Sequence, residues 1–286
     1  MTEVICLGEA MGEIAFAADG SHAIGVGGDT FNTAIYMARS GTDAAFVSAV
    51  GDDPFGAQIR AALAENGVED RLVVRDGEST GLYSITNDAS GERFFHYWRS
   101  DAAARRLFLN PPALDAKWVY VSGISLYTFS DNLDALFEAL QNSGAKIAFD
   151  GNYRPRLWKG REDVAREAFA RIMSMSSLVL PTFDDEVLMW GDASPEATLA
   201  RIADLGVETV VLKQGPEGCL IHSGGETRHV PVPGAVTPVD TTAAGDSFNA
   251  AFLASYLGGG TAEEAALAGH HLAAKVIAHR GAIIPK

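Results

Sequence analysis

Short apolar runs alternate along this chain with amphipathic stretches of helical period. Few architectures accept that rhythm, and the one that does is a parallel sheet covered on its faces by helices. The apolar runs predict strands over 4–7, 44–50, 118–122, 146–150, 178–181 and 210–213. The helical periods predict helices over 30–40, 55–66, 132–142, 163–175, 195–205, 246–257 and 262–279. Gly41, Gly67, Gly144, Gly206 and Gly258 follow five of these as helix stops. Thr261 with Glu264 reads as a capping box for the last helix. Two stretches break the rhythm. Residues 13–25 alternate and are punctuated by glycine. Residues 80–99 hold two alternating runs around a turn at Asn87-Asp88-Ala89-Ser90-Gly91, a β-hairpin. The expectation is an α/β fold with a mostly parallel central sheet flanked by helices. A small antiparallel β lid is added by segments about 12–25 and 80–100. The 286 residues, 47% of them hydrophobic, suffice for one such domain over 1–286. An exposed ribbon edge suggests a homo-oligomer formed through the lid.

Residues 240–248 (DTTAAGDSF) carry the sharpest chemical signal. Ala243, Ala244 and Gly245 leave the backbone bare enough for an anion to approach. Asp246 opens a helix whose free N–H groups and positive dipole end favour that anion. A carboxylate beside a phosphate-sized hole is poor packing, because the two negative groups repel. It fits a base that takes the proton from a hydroxyl attacking a phosphoryl group. The plainer alternative is a helix start with small residues for packing.

Charge narrows the partners. Asp and Glu total 37 against 22 Lys and Arg, a net charge of −15. A nucleic-acid or anionic-membrane binder would need an accumulated basic face. Cys6 and Cys219 each sit in apolar runs, with no paired cysteine or histidine nearby, and fit a reducing cytoplasm. No signal peptide or membrane span is read at the start of the chain.

Several segments offer polar groups for a ligand, each with a structural alternative. GGDTFN, residues 27–32, precedes a helix; Gly28 permits close approach, and Asp29 and Asn32 suit sugar hydroxyls, or the segment is a capped loop. It lacks the third glycine of a dinucleotide fingerprint, and no P-loop motif occurs. Tyr97 and Arg99 end the hairpin, and Arg154 follows the strand that ends at Asp150. Guanidiniums there would clamp a carboxylate, or are solvated surface arginines. Tyr83 would reach a sugar or cover the core. Residues 213–218 (KQGPEG) would lay Gly215 and Gly218 against a nucleotide with Lys213 near its phosphates, or form a plain turn between strands. The acids Asp184, Asp185 and Glu186 would help hold Mg²⁺ through water, or complement a helix dipole.

Taken in order, GGDTFN, DxNxR at 150–154, KxGxxG at 213–218 and DTTAAGDSF resemble the ribokinase-like (PfkB) sugar kinases over essentially the whole chain. Residues 81–83, 97–104, 122–126 and 152–158 resemble, within that family, the group acting on 2-keto-3-deoxygluconate. The resemblance implies an ATP-dependent kinase of a sugar acid. Asp246 is the general base, with the backbone of Ala243, Ala244 and Gly245 as anion hole. Gly28, Asp29, Asn32, Tyr83, Tyr97, Arg99 and Arg154 hold the sugar. Asn152, Lys213, Gly215 and Gly218 hold ATP. Glu186 acts on Mg²⁺ through water, and Asp240 and Thr242, with residues 278–281, form a K⁺ loop. Ala243 stands where many members have Gly, Phe183 where they have Asn, and Glu13 where many have Asp. The alternatives are a neutral-sugar fructokinase or ribokinase, a non-catalytic sugar sensor, which would need no Asp246, and a Rossmann dehydrogenase, which would bind NAD.

Overall fold

The computed structural model describes residues 2–17, 19–87, 93–234 and 236–286. In chain order its first half holds β1 (Thr2–Leu7), β2 (Met11–Phe16), β3 (His22–Gly27), α1 (Asp29–Arg39), β4 (Ala44–Gly51), α2 (Pro54–Asn66), β5 (Glu69–Arg75), β6 (Leu82–Asn87), β7 (Arg93–Trp98), β8 (Ala116–Ser122) and α3 (Gly123–Thr128). There follow α4 (Leu133–Ser143), β9 (Lys146–Asp150), α5 (Glu162–Met175), β10 (Leu178–Val179), α6 (Phe183–Trp190), α7 (Pro195–Ala203), β11 (Thr209–Lys213), β12 (Cys219–Ser223), β13 (Glu226–Val230), α8 (Ala244–Leu257) and α9 (Ala262–Ile277).

All six strands expected from the apolar runs lie in one nine-stranded sheet of order β13-β12-β11-β10-β9-β8-β1-β4-β5. From β5 to β11 the pairs are parallel, and β12 and β13 add an antiparallel edge. Strand alternation splits the core in two. Ile5, Leu7 and Val47 face one helical layer containing Leu126, Leu136, Phe169 and Ile202. Val4, Cys6 and Phe46 face the other, with Phe31, Ile35, Leu63 and Phe252. A leucine or isoleucine buried in this way typically costs about 2–5 kcal/mol to truncate to alanine.

Helix ends follow their sequence signals, with one shift. Asp53 caps α2 by accepting from the Gly56 N–H at 2.9 Å, and Gly67 closes it in the left-handed region at φ 73°. The capping box of Thr261 and Glu264 opens α9. Gly258 keeps a right-handed conformation after α8, and Gly259 makes the left-handed turn instead. Cys6 and Cys219 are buried free thiols.

The second sheet has four strands in the order β3-β2-β6-β7. Its outer pairs are antiparallel and its central pair, β2 with β6, is parallel, so the two chain segments expected in the lid meet along that seam. The hairpin expected over 80–99 is present as β6 and β7; residues 88–91 of its turn lie outside the described residues. Register places Glu13, Tyr83, Phe95 and Tyr97 on one face and Phe16, Ile24, Phe94 and Trp98 on the other. No helix among the described residues is long and apolar enough to cross a membrane.

Candidate active site

Parallel strands present their carboxyl ends along one edge, and ligands of open α/β sheets bind beyond that edge. Here a cavity of about 1080 Å³ opens between it and the inner face of the four-stranded sheet. Asp246, Ala243, Ala244 and Gly245 line it, as do Gly28, Asp29, Asn32, Tyr83, Tyr97, Arg99 and Arg154. Asn152, Lys213 and Thr242 also reach it, so segments far apart in sequence converge on one chamber.

The segment expected to form an anion hole is the first turn of α8. Its N-cap residue, Ala243, lies in the left-handed region at φ 61°, and no side chain caps the helix. The Ala244 N–H turns back to Thr241 O at 3.2 Å, whereas Gly245 and Asp246, which line the cavity, have N–H groups without a backbone partner among the described residues, with the positive end of the helix dipole behind them. The left-handed backbone is the reason glycine suits this position. Alanine there holds the same turn at a strain of about 1–2 kcal/mol. Among the described residues one other non-glycine has positive φ, Asn152 at 34°, and it too lines the cavity. Lys213 lies beside the hole: a Cβ built on Gly245 would come within 3.9 Å of its Nζ.

Carboxylates crowd the same point. Asn32 Nδ2 donates to Asp246 Oδ2 at 2.9 Å. Asn152 Nδ2 donates to Asp29 Oδ2 at 3.0 Å. Burial pushes the Asp246 carboxyl up to about 8, and the neighbouring Asp29 and Asp150 push the same way, while Asn32 and Lys213 pull it down. Asp29 is also raised, by burial first and by Asp150, against a hydrogen bond from Ser122. A carboxylate whose proton affinity is tuned near neutrality is suited to accept a proton in a reaction.

Lys213 is tied down rather than solvated. Its Nζ donates to Asp150 Oδ1 and Asn249 Oδ1, each at 3.0 Å. Asn249 donates in turn to the Tyr120 hydroxyl at 2.9 Å, and that hydroxyl lies 3.4 Å from Asp150 Oδ2. The ring joins β8, β9 and β11 to α8.

The two arginines differ in kind. Arg99, 6% exposed, is ion-paired with Glu9, 1% exposed, and donates to Thr128 Oγ1 at 2.6 Å. Burial raises the Glu9 carboxyl against the pull of Arg99 and Arg105. Arg154 is 52% exposed, and its carboxylate neighbour, Asp185, stands 3.6 Å away. Burial pushes Asp185 up to about 6, against Arg154. Tyr83 donates to Glu13 and is buried. Gly28 is a close-approach glycine, since a Cβ there would sit 2.2 Å from the Glu9 carbonyl oxygen.

Some expected residues are placed elsewhere. Gly215 and Gly218 shape the turn between β11 and β12, where the Gly218 N–H donates to Gly215 O at 3.2 Å, and neither lines the cavity. Glu186 does not line the cavity; it is buried against Arg201 at 2.6 Å, and burial lifts its carboxyl to about 7. Asp240 does not line the cavity either, but its carboxylate accepts from the N–H groups of Thr242 at 3.0 Å and Gly281 at 2.7 Å. The two segments expected to form a cation loop are thus adjacent. Sequence reasoning missed Glu9 and Asp150 as site residues. Each stands at or just beyond the carboxyl end of a predicted strand, a signal that could have found both.

A helix start with no side-chain cap, a raised carboxyl and a polar chamber at the carboxyl edge of a parallel sheet suit phosphoryl transfer to an alcohol. The chain belongs to the pfkB family of carbohydrate kinases, whose model matches residues 1–286. It is similar to the 2-dehydro-3-deoxygluconokinase of Dickeya dadantii, 41% identical over 281 residues that cover 91% of this chain and 90% of that protein. The 2-dehydro-3-deoxygluconokinase of Escherichia coli K12 is 39% identical, over 92% of this chain and 91% of its own. Among solved structures, the fructokinase of Vibrio cholerae O395 with fructose, ADP and calcium ion bound superposes with a TM-score of 0.87. It is 25% identical, with 99% of this chain and 94% of that chain covered. The ribokinase-like fold implied by the sequence motifs is the fold of this protein.

Proposed function

We propose that this protein transfers the γ-phosphoryl group of ATP to the terminal primary hydroxyl of 2-keto-3-deoxygluconate, giving the 6-phosphate. The observation that carries the reading is Asp246, its carboxyl lifted to about 8, at the uncapped start of α8 in a cavity that also holds Arg154. Asp246 takes the hydroxyl proton as the oxygen attacks phosphorus in line. The N–H groups of the first turn of α8 and the Lys213 ammonium face the charge that grows on the transferred group. Arg154, half-exposed and only loosely engaged by Asp185, suits the substrate carboxylate; the relatives named for the same sugar acid support that choice. Arg99 meets the sugar already neutralised by Glu9 and serves its hydroxyls.

Mg²⁺ bound with the nucleotide supplies charge neutralisation at the phosphates. Among the described residues no group of three or more His, Cys, Asp or Glu is set to hold a metal by itself. Asp184 and Asp185 on the cavity wall would be the ion's oxygen donors, with Glu186 acting through water. The junction of Asp240 with Gly281 supports a K⁺ site beside the anion hole. The four-stranded sheet acts as the lid that keeps water from the phosphoryl group. Its exposed outer residues Phe16, Ile24, Phe94 and Trp98 support pairing of two copies there.

A coupled assay of ADP release across sugars with and without a carboxylate tests the reading. 2-Keto-3-deoxygluconate should be the preferred acceptor. Faster turnover of fructose than of the acid would overturn the acid assignment, and ADP release independent of any sugar would overturn the kinase reading itself.

A further inference from the structure

We infer that Asn32 is a positioning residue for the catalytic base: its amide holds Asp246 Oδ2 and leaves Oδ1 to receive the proton of the incoming hydroxyl. The inference rests on the kinase reading above and departs from the role that the sequence suggested for Asn32, contact with sugar hydroxyls.

Geometry carries it. Asn32 is 5% exposed, and its Nδ2 stands 2.9 Å from Asp246 Oδ2. Its own Oδ1 is buried with no partner among the described residues. A buried amide oxygen without a partner is costly. Nδ2 rather than Oδ1 meets the carboxylate, the arrangement that an ionised Asp246 requires. The helix beneath is rigid: every residue from Thr30 to Met37 is buried, and the Asn32 N–H donates to Gly28 O at 2.8 Å. The next residue adds a second hold. Thr33 Oγ1 donates to Asp29 O at 3.0 Å and reaches Asp246 O at 3.4 Å. The start of α1 thus grips both the side chain and the backbone of the residue that opens the chemistry.

Charge makes this grip consequential. Asp29 from α1 and Asp150 from the end of β9 oppose ionisation of Asp246. Tyr36 of α1, Tyr83 of β6 and Tyr120 of β8 face it as neutral phenols, their own ionisation held off by burial first. Asn32 and, from β11, Lys213 favour the ionised form. Without Asn32, the two carboxylates meet one fewer group that favours the ionised form.

The test is the pH dependence of kcat/KM for the wild type, Asn32→Ala and Asn32→Ser. Both variants should move the acid limb upward by about one pH unit, a tenfold change in proton affinity. They should lower kcat by about a hundredfold, since a misplaced base loses part of its catalytic contribution. KM for the sugar should change by less than about threefold, because uniform binding is left intact. A large rise in KM with an unmoved acid limb would make Asn32 a sugar contact and overturn the inference. Asn32→Ser keeps a small polar group and carries the same test should the alanine variant not fold. A carbon-13 titration of the Asp246 carboxyl in the ligand-free protein needs no turnover. Equal titration points in wild type and both variants would overturn the inference even if the enzyme accepts a different sugar, whereas absence of kinase activity in the wild type would count against the reaction alone.

Discussion

Replacing Asp246 by Asn removes a proton acceptor and a buried charge at once, and pH separates the two losses. The carboxyl gives up its proton at an ordinary value of 3.8 in the unfolded chain and near 8 in the folded protein. Between those values the folded state holds the extra proton, so this group's contribution to stability falls as pH rises and is fully lost above about 8. At about 1.4 kcal/mol per unit, a shift of roughly four units sets a ceiling of about 6 kcal/mol. Asp246 is only half-buried and opens to a wet cavity, so about 2–3 kcal/mol is the expected share. Asparagine carries no such penalty. The melting temperature of Asp246→Asn should therefore overtake that of the wild type as pH rises from 5 to 9, by about 3–5 °C across the range. Turnover should fall by about a hundred- to ten-thousand-fold while nucleotide and sugar still bind. Thermal melts across pH and steady-state kinetics at pH 8 read the two effects. A gap in melting temperature that is flat with pH would show that the carboxyl is not raised, and near-normal turnover would remove Asp246 from the chemistry.

Ala243→Gly should relieve the left-handed strain of about 1–2 kcal/mol, offset by about 0.5–1 kcal/mol of glycine's added chain entropy, so melts should show equal or slightly raised stability with activity kept. A clear drop in melting temperature would mean the backbone there is unstrained. Arg154→Ala should lower kcat/KM for the sugar acid by about ten- to a hundredfold, the worth of a charge-assisted hydrogen bond, and leave a neutral sugar unaffected. Equal losses for both substrates would contradict its role with the carboxylate. Arg201→Ala should destabilise by about 2–3 kcal/mol at pH 8, because Glu186 is left buried and unpaired. The loss should shrink toward pH 5, where Glu186, already lifted to about 7, holds its proton. Denaturant melts at the two pH values check both the size and the slope.

The sequence disclosed the interior of the sheet because buried parallel strands read as continuous apolar runs, as at Ala44–Gly51. It hid the edges for the converse reason. β5 (EDRLVVR) and β13 (ETRHV) are largely exposed and carry charges that interrupt any run. α6 has only eight residues, too few for a helical period to stand out. At the site, residue types and their neighbourhoods were legible wherever one segment supplied the feature, as with DTTAAGDSF. Pairings across the chain were not. Glu9 meets Arg99, and Asn32 meets Asp246, only because the topology folds distant segments together. Glu186 shows the same limit: its ion pair with an arginine fifteen positions later on the neighbouring helix is not written in its own cluster of acids.

The closed ring of Lys213, Asp150, Tyr120 and Asn249 binds three strands to α8 with hydrogen bonds that reinforce one another. Such a ring makes this side of the chamber an anvil: the start of α8 cannot drift without breaking several buried contacts together. Travel during a catalytic cycle then falls to the jaw opposite, the four-stranded sheet that carries Tyr83 and Tyr97. The strands of that jaw would reach a sugar through Tyr83 and Tyr97, while Arg154, beyond β9, would meet it from the anvil's side.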